Sequence, residues 1–215
     1  SVVGDVTLER DCKTLVEETL SSFGGIDYLI ANAGISMWAP FADVDDLQVF
    51  RKLVEVNYLG ALNCIHYALP HLIASKGMVV AITSIQAKIP VPQHTGYVAS
   101  KHALQGFCDS LRMELKESGV DILTVLPHWL TGTDLRKRAI GKDGNELGET
   151  DGASVNTVSG CAAVAMAAAR ARFTGAGIGP HAGILQLFHV RRDQPRVHRG
   201  GRLGVFLRGR TQWRL

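Results

Sequence analysis

Three short apolar runs, residues 26–31, 78–83 and 120–126, are separated by stretches of chain long enough to hold helices. No other feature restricts the fold as much. Strands alternating with helices form a parallel sheet, and such a sheet is stable with both faces covered. Residues 8–23 carry apolar side chains at helical spacing, with Thr7 as candidate N-cap and Gly24-Gly25 as the stop. Further helices are expected over about 47–69, over 97–118 with a stop at Gly119, and over 160–172. Residues 130–157, with Gly141, Gly144 and Gly148, read as a long loop. The expected class is α/β, a doubly wound parallel sheet. At 215 residues and 46% hydrophobic, the chain has the core for one such domain.

Chemistry concentrates on the helix at 97–118 and the strand before it. Tyr97 and Lys101 lie four residues apart in Gly96-Tyr97-Val98-Ala99-Ser100-Lys101, so both project from one helical face. A phenol titrates near pH ~10, and a neighbouring ammonium favours its phenolate. Tyr97 is thereby expected to serve as a general acid/base near neutrality. Ser84 follows the apolar run 78–83, thirteen residues before Tyr97, and can hydrogen-bond the same substrate oxygen. Such a trio suits proton exchange with a carbonyl or alcohol oxygen while a cofactor carries the hydride. A tyrosine and a lysine at this spacing also occur on plain solvated faces, so two further elements matter. The run 26–34 ends in the turn Asn32-Ala33-Gly34, and Asn57 lies twenty-seven residues before Ser84. Taken singly, Asn32 and Gly34 are ordinary turn formers, and Asn57 could bond within its own helix.

The ordered set Asn32-Ala33-Gly34, Asn57, Ser84 and Tyr97-x-x-x-Lys101 resembles the short-chain dehydrogenase/reductase family over residues 1–170. The runs 96–104 and 109–115 are most similar to the branch of 11β-hydroxysteroid dehydrogenase-like enzymes. The resemblance implies a Rossmann-like fold with NADP or NAD as cofactor. It implies that Tyr97 is the catalytic acid/base, that Lys101 lowers its pKa and binds the ribose, and that Ser84 orients the substrate oxygen. It further implies that Asn57 holds a water in the proton relay behind the lysine. Asn32, Ala33 and Gly34 match the turn beside the adenosine half of the cofactor, and Asp5 and Val6 the pair that closes on the adenine. Pro127 matches the proline after the family's sixth strand, and Thr131 or Thr133 the threonine near the nicotinamide. His128 stands where the family has glycine, either lining the substrate pocket or tolerated in a loop. An intact relative is expected to be a homo-oligomer.

Two larger departures shape the expected organisation. The family opens with a strand and a glycine-rich turn feeding a helix N-terminus that takes the pyrophosphate. No such run precedes Asn32, and residues 1–7 already match the family's third strand. The chain is therefore expected to be a fragment lacking the first strand–helix units, and with them the residue that selects NAD or NADP. Composition then breaks near residue 170. Residues 1–152 hold 13 Lys+Arg against 19 Asp+Glu, whereas 153–215 hold ten arginines, no lysine and Asp193 as the one acid. The last 45 residues hold eight glycines and no sustained period. Two segments are expected, a partial Rossmann-type domain over 1–170 and an Arg/Gly-rich tail over 171–215 outside its core. The tail reads as translation of a GC-rich message in another frame, with an Arg-Gly chain tracking phosphate backbones as the alternative. No specific nucleic-acid partner is expected.

Cys12, Cys64, Cys108 and Cys161 show no paired spacing, which points to free thiols in a reducing compartment, the cytoplasm. The eight histidines form no metal-ligand pattern. No apolar run reaches the ~18 residues of a membrane span, so no membrane anchor is expected within this chain, an upstream one aside. Ile85, Ala87, Ile89 and Val91 between Ser84 and Tyr97, with Trp38 and Trp129 in other loops, favour a small apolar carbonyl or secondary alcohol as substrate. Two functions follow. One is an NAD(P)-dependent carbonyl/alcohol oxidoreductase. The other, prompted by the absent phosphate loop, is a non-catalytic pseudoenzyme or interaction module.

Overall fold

The computed structural model describes residues 2–131 and 133–148, together with the backbone pairing of 156–157, 205–206 and 211–212. In chain order its main elements are Val3–Gly4 (β1), Glu9–Phe23 (α1), Tyr28–Ala31 (β2), Gln48–Val54 (α2), Gly60–Ser75 (α3), Met78–Ile82 (β3), Thr95–Glu114 (α4) and Asp121–Val125 (β4). Four dipeptide strands follow: Leu130–Thr131 (β5), Asn156–Thr157 (β6), Val205–Phe206 (β7) and Thr211–Gln212 (β8). Strands β4, β3 and β2 pair in parallel, with Tyr28 opposite Met78 and Met78 opposite Asp121. Apolar residues fill both faces, as parallel pairing requires. One face gathers Leu29, Val79 and Ile122 with Leu15 of α1, Leu72 of α3 and Leu104 of α4. The other gathers Ile30, Met78 and Val80 with half-buried Leu123 and Val125.

Local chemistry explains most element ends and corrects some expectations. Helix α1 stops at Gly24, whose φ of 74° lets its N–H reach the Leu20 carbonyl. At the other end Leu8, not Thr7, holds the cap position without a side-chain bond. Thr7 is instead held by Asp5, whose Oδ1 accepts from its N–H and its hydroxyl, both at 2.9 Å. Helices α2 and α3 join through a π-helical segment, Glu55–Leu59, so one helical stretch runs from 48 to 75. It continues past Pro70, where a stop near residue 69 was expected, because Leu72 is fully buried and anchors the last turn. Lys76, in the left-handed region at φ 52°, ends it.

The slot beside β2 is taken by β7, in parallel register with Leu29 and Ile30. Strand β1, matched in sequence to a strand of the parallel sheet, pairs antiparallel with β8 instead. Two dipeptides of segment 171–215 thus pair with β1 and β2. The expected helix over 160–172 and Cys161 lie outside the described residues. Cys12, Cys64 and Cys108 are free and buried. Among the described residues no helix is long and apolar enough to cross a membrane.

Candidate active site

Strands β2, β3 and β4 end on the same edge, so the loops that follow them converge there. Asn32–Gly34 follows β2, Thr83-Ser84 follows β3, and Leu126-Pro127 follows β4. Two backbone bonds stitch the last two loops together, Thr83 N to Val125 O at 2.8 Å and Ile85 N to Pro127 O at 3.0 Å. Pro127 therefore stands beside Ser84. The Ser84 backbone is extended, and its Oγ accepts the Gln86 N–H at 3.1 Å, which fixes the hydroxyl at the head of a short 3-10 turn, Ile85–Ala87.

Helix α4 brings Tyr97 and Lys101 to this edge, both buried. Its close approach depends on Gly96. A Cβ there would lie 2.7 Å from Phe50 Cδ1, 2.8 Å from Leu53 Cδ1 and 2.9 Å from Met37 Sδ. The Lys101 Nζ donates to the carbonyl of Ile82, the last residue of β3, at 3.0 Å and lies 5.8 Å from the Tyr97 ring centroid. Burial lowers the Lys101 pKa from 10.5 to about 8. Burial also raises Tyr97 above 10.0, with contact from Ser84 pulling the other way. The expected lowering of the phenol by the lysine is not what this arrangement produces. The ammonium faces a carbonyl, and desolvation dominates both groups. At neutral pH the phenol keeps its proton and the lysine its charge.

Asn57 sits at the centre of the π-helical segment, a local widening of the helix often found at functional sites. Its Oδ1 accepts the Ile35 N–H at 2.8 Å, and its Nδ2 donates to Ile35 O and to Ser100 Oγ, each at 2.9 Å. Ser100 Oγ in turn donates to the Tyr97 carbonyl at 2.8 Å. Both amide hydrogens are thus in use, and Asn57 acts as a strut between the turn after β2 and the first coil of α4. Gly34 completes the contact. A Cβ on it would lie 3.3 Å from Asn57 Oδ1 and 3.5 Å from Lys101 Nζ. Ser100 was not singled out in the sequence, although it lies three residues from Tyr97 on the same face. The Ile82 carbonyl has no sequence signal at all.

Asp5 and Val6 lie apart from this cluster. The Asp5 carboxylate turns back onto Thr7, and its N–H donates to Asp11 Oδ2 at 2.9 Å. Val6 is fully buried, and its carbonyl accepts from Asn63 Nδ2 at 3.0 Å. Thr131 contributes backbone to β5, and its side chain lies outside the described residues. His128 is exposed. Aromatic rings collect around Tyr97: the His94 ring centroid is 6.3 Å from that of Tyr97, 5.2 Å from Trp38 and 5.6 Å from Trp129. Residues 133–148 are tied to them by Ile140 N to Ser36 O at 2.8 Å and Trp38 N to Ile140 O at 3.0 Å. Among the described residues no cluster of three side chains suits a metal ion. A buried ammonium with three donors, one of them taken by Ile82, beside a glycine that leaves room, fits the hydroxyls of a cofactor ribose.

A family model described as short chain dehydrogenase matches residues 1–143. A protein of Arabidopsis thaliana named 11-beta-hydroxysteroid dehydrogenase-like 3 is 38% identical over 146 residues, 68% of this chain and 47% of its own length. Dehydrogenase/reductase SDR family member 7B of Rattus norvegicus is 40% identical over 151 residues, 70% of this chain and 45% of its own. The chain spans about half the length of the curated relatives it matches. Among solved structures, a short chain dehydrogenase from Burkholderia cenocepacia in complex with NADP aligns with a TM-score of 0.63 and 25% identity, covering 82% of this chain and 66% of that one.

Proposed function

The chain belongs to the short chain dehydrogenase family, and from that premise we propose that it serves an oxidoreductase interconverting a carbonyl and a secondary alcohol, with Tyr97 as acid/base. One observation carries this reading: Tyr97 is buried beside Ser84, with the buried Lys101 one turn further on and its Nζ 5.8 Å from the Tyr97 ring centroid. Bound NADP or NAD supplies or takes the hydride. The chain's own residues handle the oxygen. The Ser84 hydroxyl accepts the Gln86 N–H and bonds to Tyr97, and its hydrogen can turn from the phenol to a substrate oxygen seated between them. Tyr97 gives its proton to that oxygen as the carbonyl is reduced, and the Lys101 ammonium, 5.8 Å from the ring centroid, offsets only part of the burial cost of the phenolate left behind. In oxidation the same phenolate takes the proton back. The Asn57–Ser100 strut holds Tyr97 and the turn at Ile35 in one frame.

Lys101 fits the ribose nearest the reacting ring, with Pro127 and Thr131 after the neighbouring strand, the turn Asn32, Ala33 and Gly34 beside the adenosine half, and Asp5 and Val6 at the adenine end. Trp38 and Trp129 supply flat apolar walls for a small apolar substrate, and a homo-oligomer is the expected assembly. A non-catalytic module would have no use for the assembled cluster of Tyr97, Ser84, Lys101 and Asn57. The test is reduction of an aryl ketone with NADPH or NADH. Tyr97→Phe is expected to lower turnover ~10²–10⁴-fold while cofactor binding, followed by its fluorescence, persists. A variant retaining half the wild-type rate would remove Tyr97 from the mechanism.

A further inference from the structure

Two buried nitrogens, Nδ1 of His94 and Nε of Arg136, lie in one place and have no hydrogen-bond partner among the described residues. His94 is 3% exposed, and its ring is packed among Tyr97, Trp38 and Trp129. The guanidinium carbon of Arg136 lies 4.7 Å from the Trp129 ring centroid and 5.5 Å from that of Trp38. Arg136 is also close enough that its charge, after burial, helps hold the His94 imidazole below its ordinary pKa of 6.5. The segment bearing Arg136 is anchored just beyond it. Arg138 pairs with Glu146 at 3.0 Å, and Ile140 is buried against Met37. The cation is therefore presented by a tethered loop rather than by a free surface side chain.

Buried polar atoms are normally paired, and an unpaired one offers a bond that an incoming group can complete. Stacking on indole leaves the edge of a guanidinium open, and that edge matches a carboxylate. An imidazole nitrogen beside it can donate a second bond. We propose that Arg136 and His94 form an anion subsite beside Tyr97, and that the substrate is a flat apolar ketone or alcohol carrying a carboxylate. This names the substrate class within the oxidoreductase reading above and rests on it only for what is turned over. The two tryptophans receive the apolar body, the Arg136–His94 pair takes the acid group, and the reacting oxygen faces Tyr97 and Ser84. The wholly apolar ligand expected from sequence is thereby given one charged end.

Binding is tested first, without cofactor or turnover. The chain is titrated with 4-acetylbenzoate and with its methyl ester, and tryptophan fluorescence is followed. The acid is expected to bind about tenfold more tightly than the ester, the scale of one charge-assisted hydrogen bond net of desolvation. That preference should disappear in Arg136→Gln and survive in Arg136→Lys. Proton NMR should show one imidazole titrating at higher pH when the acid is added and not when the ester is, with that signal missing in His94→Gln. Equal affinity for acid and ester, no binding of either, or an Arg136→Gln variant that weakens both alike overturns the subsite. A clear preference for the acid without NADPH- or NADH-dependent reduction of any ketone leaves the subsite standing and removes the oxidoreductase reading instead.

Discussion

Lys101 keeps its charge where burial disfavours it, and the sign of that effect can be read from unfolding. Below about pH 8 both the folded and the unfolded chain hold the proton. Between about 8 and the ordinary 10.5 the unfolded chain keeps a proton that the folded one has released, so stability rises with pH across that window. Tyr97, raised above 10.0 by burial, acts in the opposite sense and only above that value. Urea midpoints of the wild type are thus expected to climb between pH 8 and 10 relative to those of Lys101→Met, and parallel profiles would contradict the burial argument. Asn57→Ala should leave the Ile35 N–H and carbonyl and the Ser100 hydroxyl short of partners, at about 1–3 kcal/mol for each group that stays unpaired. An unchanged unfolding midpoint would show that Asn57 is no strut. Tyr97, Lys101, Ser84 and Asn57 were legible because each sits at a readable place, one helical face, one strand end, one long helix. The direction of the Tyr97 shift was not, since it depends on burial that no spacing reports. The His94–Arg136 pairing was hidden for a related reason: its members come from separate loops, and neither belongs to a recognisable pattern.

Elements were legible where one local rule governed them. Each of β2, β3 and β4 carries apolar residues on alternate faces, Leu29 and Ala31 against Ile30 for example, and such runs read directly as buried strands. The helix runs beyond the expected end near 69 and through Pro70, because the burial of Leu72 holds its last turn. The π-helical segment has no sequence signature, and only the bonds made by Asn57 give it a purpose. The contact of α4 with α2 through Gly96 belongs at the same scale. Gly96→Ala is expected to cost about 1–3 kcal/mol, the usual range for overpacking, since Phe50, Leu53 and Met37 crowd the new methyl. It should also lower turnover more than an equally destabilising change on α1, because Tyr97 is the next residue. Calorimetric unfolding alongside rate measurements checks both, and a fully active Gly96→Ala would show that α4 can shift without disturbing Tyr97.

At the scale of the whole molecule, the parallel pairing of β2, β3 and β4 followed from the alternation of strands and helices, whereas β7 and β8 did not, because the arginine-rich segment shows no period. With Val205 and Phe206 paired against Leu29 and Ile30, deleting residues 171–215 should bare one edge of β2. Unpaired edges recruit other chains, so light scattering is expected to show concentration-dependent association of the shortened protein. A deletion that stays monodisperse would place the segment outside the sheet. The strand alignment has a wider consequence. Ala31, Ala81 and Thr124 stand level across the sheet, and the Lys101 ammonium is tied to the carbonyl one residue beyond Ala81. Sliding one strand by a single residue would displace its loop by about 3.3 Å and exchange its faces, while leaving helix and strand content by circular dichroism nearly unchanged. Turnover per mole therefore measures something spectroscopy misses: the fraction of molecules whose strands have been threaded in step.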